Sequence, residues 1–347
     1  MIFIGDIACP KEKADRFIDG IRQLDVFKGD IVVLNLEANI LLDTDERKDI
    51  TLWNTTRTIE AFSGARKVIV SLANNHMYDY PEHILRTRDL LQKNNVGVFG
   101  LTESDGTFLP YEYKDENGTK YAFFGHCWRL YTKTNPNKVN DIRIVDLPYA
   151  EFAEKVREYI VKNPQVKVYC MMHWNYDLEK LPFPMLRSIS RKLIDYGVEG
   201  VIGSHSHRPQ GAEIYKGKPI VYCLGNFYLP SGYFFNGNLN YPECCHRTYG
   251  LQIKGEQTNI VWFETDKEDP IRLINNEQIG KGQQIIILSP FASMDKNEYL
   301  KYFKTNRQKK MLVPVFDSYE GLSYQYKEKF AVGRVKILKR LLKLLKR

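Results

Sequence analysis

Carboxylate, amide and imidazole side chains recur where apolar runs end, and together they could hold metal ions. The set comprises two carboxylates, one amide oxygen and three imidazoles: Asp6, Glu37, Asn75, His173, His205 and His207. The two histidines around Ser206 are the strongest signal, because residues two apart in an extended backbone share one face. Oxygen and imidazole donors without a thiolate suit Mn, Fe or Zn. Two such ions about 3.5–4 Å apart would clamp a phosphoryl group and generate a hydroxide nucleophile.

Each segment has a plainer interpretation when taken alone. Gly5-Asp6 can be a turn, and Glu37 can belong to a turn or a helix cap. Asn74-Asn75-His76 can be a loop rich in asparagine, although three polar side chains with Asp79 nearby exceed what a turn needs. A single histidine such as His173 is more often structural than a ligand. The hypothesis therefore depends on the whole set.

The elements that must position these residues alternate along the first hundred residues. Short apolar runs at 31–36, 68–72 and 96–99 are interleaved with amphipathic stretches, which is typical of βαβ units on a largely parallel sheet. Farther on, a strand at 166–173, a helix at 185–196 and hairpins within 212–224 and 249–264 predict a mixed, increasingly antiparallel arrangement. The predicted class is α/β, and polar residues at strand ends face the crevice where such sheets bind ligands.

The order and local sequence of these motifs resemble the CapA family, the poly-γ-glutamate capsule-synthesis branch of the calcineurin-like metallophosphatase superfamily. Six motifs within 1–264 carry the resemblance: Gly5-Asp6, Asn35-Leu36-Glu37, Ala73-Asn74-Asn75-His76 with Asp79-Tyr80, His173-Trp174, Gly203-Ser204-His205-Ser206-His207 and Leu224-Gly225-Asn226-Phe227. The resemblance implies a four-layer α/β/β/α sandwich with a two-metal site at the loop ends. We therefore predict a metallophosphatase domain at 1–264, a C-terminal extension at 265–331 and a basic amphipathic helix at 332–347.

The resemblance also implies a role for each residue. Glu37 would bridge two divalent ions, Asp6 and His207 would bind one ion, and Asn75, His173 and His205 would bind the other. His76 would protonate the leaving oxygen or hold the phosphate, and Asp79 would orient His76. Asn226 and Arg208 are candidates on the substrate side, with a turn residue and an exposed arginine as the respective alternatives.

Three departures from the superfamily pattern affect these expectations. The sequence Asp6-Ile7-Ala8 lacks the histidine of the usual Asp-x-His, and Glu37 replaces the usual bridging aspartate. These changes leave the first ion a ligand short. The family segment His-Trp-Gly-x-Glu is His173-Trp174-Asn175-Tyr176-Asp177 here, so we expect different contacts on the substrate side.

Charge and composition exclude several classes of protein. The 347 residues carry 50 basic and 42 acidic side chains, but the last fourteen residues contribute seven basic and no acidic ones. The rest of the chain therefore has 50 − 7 = 43 basic against 42 acidic residues, which argues against nucleic-acid binding. The sequence has no apolar run near ~18 residues and no C-x-x-C pair, and its first residues lack the pattern of a secretory signal. We therefore expect a cytoplasmic protein.

The basic C-terminal segment separates into two faces when it is projected as a helix. Apolar side chains fill one half and cations the other, which is the pattern of an interfacial helix at an anionic membrane surface. A helix packed on its own domain and a helix in a partner protein's groove are the alternatives. We therefore expect at most a peripheral position on the cytoplasmic face of the membrane.

Two hypotheses for function follow. The first is a metal-dependent phosphoesterase-type hydrolase in the synthesis of a capsule or another cell-envelope polymer, with a phosphorylated small molecule or an acidic polymer as substrate. The second is a non-catalytic peripheral component of a capsule polymer synthesis or export machine, in contact with other capsule-synthesis proteins.

Overall fold

The computed structural model describes residues 1–103, 105–133, 142–265, 271–308 and 313–345, with side chains up to residue 337. Its strands are β1 Ile2–Ile7, β2 Ile31–Leu36, β3 Ile40–Leu41, β4 Asn54–Thr55, β5 Lys67–Ser71, β6 Gly97–Phe99, β7 Tyr111–Lys114, β8 Lys120–Cys127, β9 Lys167–His173, β10 Gly200–Ser204, β11 Ala212–Tyr215, β12 Lys218–Val221, β13 Asn226–Tyr228, β14 Arg247–Lys254, β15 Gln257–Thr265 and β16 Ile271–Gln278. Its helices are α1 Ala14–Arg22, α2 Ile84–Lys93, α3 Arg129–Lys133, α4 Tyr149–Lys162, α5 Pro184–Asp195, α6 Gln283–Leu288, α7 Lys296–Asn306 and α8 Gly321–Leu345.

Two mixed sheets organise these elements. The first has the order β16-β15-β14-β1-β2-β5-β6, with β13 also paired to β1, and the second has the order β11-β12-β10-β9-β8-β7. The first sheet is parallel from β1 through β2 and β5 to its β6 edge and antiparallel from β14 to its β16 edge. The second sheet is parallel at the centre and antiparallel at both edges. The central strands β1 and β2 are buried along their whole length, as continuous apolar strands covered on both faces must be.

Three apolar cores separate four layers. One core lies between the two sheets and includes Phe3 and Val33 from the first sheet and Tyr169 and Ile202 from the second. A second core packs α1 and α2 on the outer face of the first sheet, and a third packs α4, α5 and α7 on the outer face of the second. The predicted α/β/β/α sandwich is therefore confirmed.

Close backbone contacts beside the strand ends require glycine at two positions. A Cβ atom on Gly5 would lie 1.9 Å from the carbonyl oxygen of Gly225, and one on Gly203 would lie 1.9 Å from that of Tyr222. Gly5 precedes Asp6, and Gly203 precedes Ser204 at the end of β10. The absence of side chains at these positions lets the polypeptide close tightly around the loops that carry the candidate ligands.

The C-terminal third adds strands to the first sheet and side chains to the core behind the second sheet. Strand β16 pairs with β15 in the first sheet, and Phe291, Phe303 and Phe316 enter the core behind the second sheet. Helix α8 begins at Gly321, and its Ala331 is buried against the same core. The domain boundaries proposed from the sequence at residues 264 and 331 remain predictions. None of the helices in the described chain is both long and apolar enough to cross a membrane.

Buried His126 on β8 should make stability depend on pH. Its Nε2 lies 2.8 Å from the carbonyl oxygen of Leu147, and its ring packs on Tyr149 and Phe152. Burial lowers the pKa of His126 from 6.5 to about 4. Between these values the unfolded chain binds more protons than the folded one, so His126 lowers stability as pH falls from about 6.5 toward 4. Wild type should lose about 2 kcal/mol more than His126→Gln between pH 8 and pH 5 in urea unfolding. Equal losses in the two proteins would contradict the assignment.

Candidate metal centre

Two buried carboxylates stand at the carboxyl ends of neighbouring parallel strands. Asp6 lies near the end of β1 and Glu37 directly follows β2, and neither side chain is exposed to solvent. The amide nitrogen of Asn35 donates to Asp6 Oδ1 at 2.8 Å and to Glu37 Oε2 at 2.5 Å. Asn35 in turn accepts a hydrogen bond from Asn74 at 3.2 Å. An asparagine ladder therefore holds the two carboxylates side by side.

Three histidines from the second sheet face these carboxylates. His173 ends β9, while His205 and His207 follow β10, and all three side chains are buried. The ring centroid of His205 lies 4.5 Å from that of His173 and 5.6 Å from that of His207. The strand pairing between β9 and β10 sets Ser204 beside His173, and the Ser204 hydroxyl lies 3.0 Å from His173 Nδ1.

The backbone around the histidine pair differs from the sequence-based expectation. The extended conformation invoked for His205 and His207 is wrong, because β10 ends at Ser204 and both residues have positive φ, 92° and 62°. Left-handed conformations at two non-glycine residues are costly and persist only where the surroundings demand them. One interaction that favours this backbone conformation is the hydrogen bond from the backbone N–H of His205 to Asp6 Oδ2, at 3.1 Å.

The donor atoms form two groups of three within 4.8 Å of one another. One group comprises Glu37, His173 and His205, and the other comprises Asp177, His205 and His207. Asn75 adjoins the first group, with its Oδ1 2.9 Å from His173 Nε2. Asp6 adjoins the second, with its Oδ2 3.9 Å from His207 Nδ1. The structure thus brings all six predicted ligands together.

Asp177 is a candidate ligand that the sequence analysis did not name. Its Oδ1 lies 3.1 Å from His205 Nε2, and its side chain is 60% exposed. Partial desolvation would raise the pKa of Asp177, but contact with His205 and the charge of His207 lower it below its ordinary range. The signal was present, because Asp177 takes the place of the glutamate in the family's His-Trp-Gly-x-Glu segment. Asp177 is a candidate for the ligand that the missing Asp-x-His histidine leaves open.

His76 and Asp79 lie on one 3₁₀ turn, Asn75–Asp79, that follows β5. The Nδ1 of His76 is 2.8 Å from Asp79 Oδ2, and the same oxygen accepts from the backbone N–H of Leu52 at 2.8 Å. The opposite ring nitrogen, Nε2, lies 3.9 Å from Glu37 Oε1. Asp79 is therefore placed to fix the orientation of the His76 ring, as predicted from the resemblance.

The two candidates on the substrate side differ in position. Asn226 is buried and pairs with Asp6 in the β1–β13 register, and its Oδ1 lies 2.9 Å from His207 Nδ1. Asn226 therefore orients a histidine of the site. Arg208 is half-buried, and its Nη1 donates to Gln308 Oε1 at 3.0 Å.

Several buried nitrogen and oxygen atoms of the site have lone pairs that could bind a cation. Glu37 Oε1 and both ring nitrogens of His205 are buried without a hydrogen-bond partner of good geometry among the described residues. Burial, followed by repulsion from Asp6, raises the pKa of Glu37 well above its ordinary value. Burial also raises the pKa of Asp6 and lowers that of His173. Buried carboxylate oxygens and imidazole nitrogens without hydrogen-bond partners are the donors that a divalent cation would satisfy.

A family comparison agrees with this geometry. The family model for the bacterial capsule synthesis protein PGA_cap matches residues 3–231. The chain belongs to this family. The match spans every predicted ligand, and the resemblance to CapA proteins stated from the sequence is confirmed.

Curated relatives carry names from the same pathway. The capsule biosynthesis protein CapA of Bacillus anthracis is 25% identical over 221 residues, which cover 59% of this chain and 51% of that protein. The PGA biosynthesis protein CapA of Bacillus subtilis (strain 168) is 23% identical over 193 residues, covering 54% and 49%. A probable polyglutamine synthesis accessory protein of Mycobacterium tuberculosis is 22% identical over 217 residues, covering 57% and 55%. The chain spans about half the length of these relatives.

Among solved structures, a putative 5'-nucleotidase from Staphylococcus aureus matches with a TM-score of 0.42 and 13% identity, covering 86% of this chain and 56% of that chain. The NAD nucleotidase of Haemophilus influenzae matches with a TM-score of 0.38 and 12% identity, covering 98% and 55%.

Substituting Glu37 should separate metal binding from folding. Glu37→Gln removes a buried charge, so we expect the metal-free variant to unfold at or above the wild-type temperature. At a free Mn²⁺ concentration one hundred times Kd, the free energy of unfolding of wild type should rise by about 2.7 kcal/mol. The same Mn²⁺ concentration should stabilise Glu37→Gln far less. Thermal unfolding with and without Mn²⁺ measures both effects. The matched control is Glu213→Gln, since Glu213 is a buried carboxylate that pairs with Arg187 and Arg191 outside the site. An equal Mn²⁺ shift in wild type and Glu37→Gln would contradict the assignment.

Asp177 should contribute directly to affinity. Asp177→Asn keeps the side chain's size but removes the anionic donor, and we expect Mn²⁺ affinity in calorimetric titration to fall about 10-fold or more. Asp177→Glu restores the carboxylate and the residue type of the family segment, so it should recover most of the affinity. If both variants bind like wild type, Asp177 is only a surface partner of His205.

Proposed function

We propose that the protein is a metal-dependent phosphoesterase-type hydrolase that serves the synthesis of a capsule or a related acidic envelope polymer. The observation that carries the proposal is the convergence of two buried carboxylates, an amide oxygen and three imidazoles at the strand ends of a capsule-synthesis family member. Buried acidic side chains that lack a lysine or arginine partner are better suited to binding cations than to stabilising the fold.

The residues that would hold two divalent ions are assigned by proximity. Asn75, His173 and His205 would serve one ion, and Asp6 and His207, joined by Asp177, would serve the other. Glu37 belongs to the first group and, as the resemblance implies, would be shared by both ions. Mn, Fe or Zn bound there would stabilise negative charge on a phosphoryl group and lower the pKa of water. Asn226 and Ser204 contact the Nδ1 atoms of His207 and His173, so Nε2 is the nitrogen that each ring would offer to an ion. His173 Nε2 lies 2.9 Å from Oδ1 of Asn75, its proposed partner in holding that ion.

His76 is the proposed proton donor. Burial would lower its pKa, but the charge and hydrogen bond of Asp79, together with the charge of Glu37, raise the pKa of His76 to about 9. His76 is therefore protonated near neutral pH, the state that a general acid or a phosphate ligand requires. The hydrogen bond between His76 Nδ1 and Asp79 orients the opposite ring nitrogen, Nε2, toward the carboxylate of Glu37. The reacting phosphoryl group would lie beside that carboxylate.

The surroundings of the site suit an acidic substrate. The rings of Phe235 and Tyr241 flank it, at centroid distances of 6.5 Å from His76 and 4.9 Å from His207. A cavity of 1070 Å³ opens beside Tyr241, and its charged lining comprises three arginines, Arg208, Arg247 and Arg272, and two glutamates, Glu243 and Glu264. Glu264 lies 3.9 Å from Arg247 and 3.8 Å from Arg272, so Arg208 is the arginine of this lining that is not paired with Glu264. A phosphorylated small molecule or an acidic polymer segment is therefore the proposed substrate class.

The alternative is a non-catalytic component of the polymer synthesis or export machine. Family membership favours it, because the names of the relatives refer to a pathway and an accessory role rather than to a reaction. In that case the site would hold ions for structure or would carry an acidic chain, and the partners would be other capsule-synthesis proteins. Under either function we propose a peripheral position on the cytoplasmic membrane face.

Turnover of bis-p-nitrophenyl phosphate and p-nitrophenyl phosphate in Mn²⁺ separates the two functions. We expect measurable turnover by wild type, its loss in Glu37→Gln, and a decrease of about 10²-fold or more in His76→Asn. His83→Asn is the matched control, because His83 lies near Asp45 outside the site and should not affect turnover. Absence of turnover in metal-loaded wild type, or turnover unchanged in Glu37→Gln, would favour the non-catalytic role.

A further inference from the structure

Helix α8 has one face that packs on the sandwich. Tyr324 accepts a hydrogen bond from Trp128 Nε1 at 3.2 Å, Glu328 pairs with Lys133, and Ala331 is buried in the core behind the second sheet. These residues recur every three or four positions, so they define one side of the helix. The alternative of a tail helix packed on its own domain therefore describes this side only.

The opposite side exposes large apolar residues. Leu322 is 71% exposed, Tyr326 69%, Phe330 53% and Ile337 59%. At 3.6 residues per turn these four positions fall within about 80° of one another, so they form a continuous stripe. We call it the α8 stripe. It begins ten residues before the segment proposed from the sequence alone, which started at residue 332.

The charges around the α8 stripe have one sign. Lys329 and Lys336 lie at its edge and are exposed. From Gly321 to Arg347 the sequence contains nine Lys or Arg residues and one acidic residue, Glu328. Glu328 is buried and paired with Lys133, and Lys327 is paired with Asp317, so the exposed charges beside the stripe are those of Lys329 and Lys336.

We propose that the α8 stripe binds the surface of an anionic lipid bilayer. The apolar side chains would enter the boundary between headgroups and acyl chains, and the lysines would meet acidic headgroups. The positive charge of α8 favours an anionic bilayer as the binding partner. A second copy of the chain is disfavoured because two such helices would bring like charges together. The proposal is independent of catalysis.

The placement also relates the bilayer to the metal centre. On the packed side, Trp128 contacts Tyr324 of α8 and lies 5.8 Å from the ring of Tyr131. The Tyr131 ring in turn lies 4.1 Å from that of His205. A bilayer on the outer side of α8 is therefore separated from the metal centre by one helix and two aromatic rings, so the site would work close to the membrane surface.

Vesicle binding by the full chain tests the proposal. Wild type is sedimented with vesicles of phosphatidylcholine containing phosphatidylglycerol and with vesicles of phosphatidylcholine alone. We expect binding to the anionic vesicles only, weakened by added salt, and a decrease of at least 10-fold in the combined variant Leu322→Gln, Tyr326→Gln, Phe330→Gln and Ile337→Gln. Lys329→Gln with Lys336→Gln should weaken binding severalfold.

The matched control replaces exposed apolar residues elsewhere. Ile50→Gln, Leu109→Gln and Ile214→Gln remove side chains that are 59%, 67% and 44% exposed, and this variant should bind like wild type. Circular dichroism and Mn²⁺ binding check that both variants fold. Failure of wild type to bind anionic vesicles, or equal binding by the stripe variant, would overturn the proposal. So would a dimer in light scattering that the stripe substitutions abolish without any vesicle binding.

Discussion

The burial of two adjacent carboxylates that pair with no lysine or arginine among the described residues is the constraint on which the rest of the site depends. Among the ion pairs of the described residues, Asp6 and Glu37 contact only histidines. Keeping two such groups ionised away from water is strongly unfavourable, and protonation or a bound cation is the physical remedy. The pKa of Glu37 is raised because burial and the neighbouring Asp6 disfavour its ionised form. The neighbouring imidazoles would supply the remaining donors for the cation.

The topology meets this constraint because strands of both sheets end at the same edge of the sandwich. The carboxylates and Asn75 follow strands of the first sheet, and the histidines follow strands of the second. Because the central strands of both sheets are parallel, their carboxyl ends open on the same crevice. Glycines at positions 5 and 203 allow the close backbone contacts beside that crevice. The core between the sheets thus serves as the rigid support that holds donors from distant parts of the sequence within a few ångströms.

Much of this arrangement could be predicted from residue types. Continuous apolar runs such as 31–36 identified the parallel strands, and polar residues at their ends identified the six candidate ligands. Backbone conformation could not be predicted, since the left-handed φ values of His205 and His207 arise from contacts such as the hydrogen bond to Asp6. Asp177 occupies the glutamate position of the family segment, but its approach to His205, which makes it a candidate ligand, depends on the path of the loop after β9. The exposed stripe on α8 could not be located either, because the buried side of that helix is set by Trp128 and Lys133, far away in sequence.

The central claim is that divalent ions neutralise the buried carboxylates, and counting those ions tests it most directly. Elemental analysis of the purified protein after dialysis against Mn²⁺ should find about two ions per chain, and few or none in a His173→Ala, His205→Ala double variant that remains folded. Wild type without bound metal above the level of that variant would contradict the account. The fold would then carry a cluster of buried acids and imidazoles for another reason.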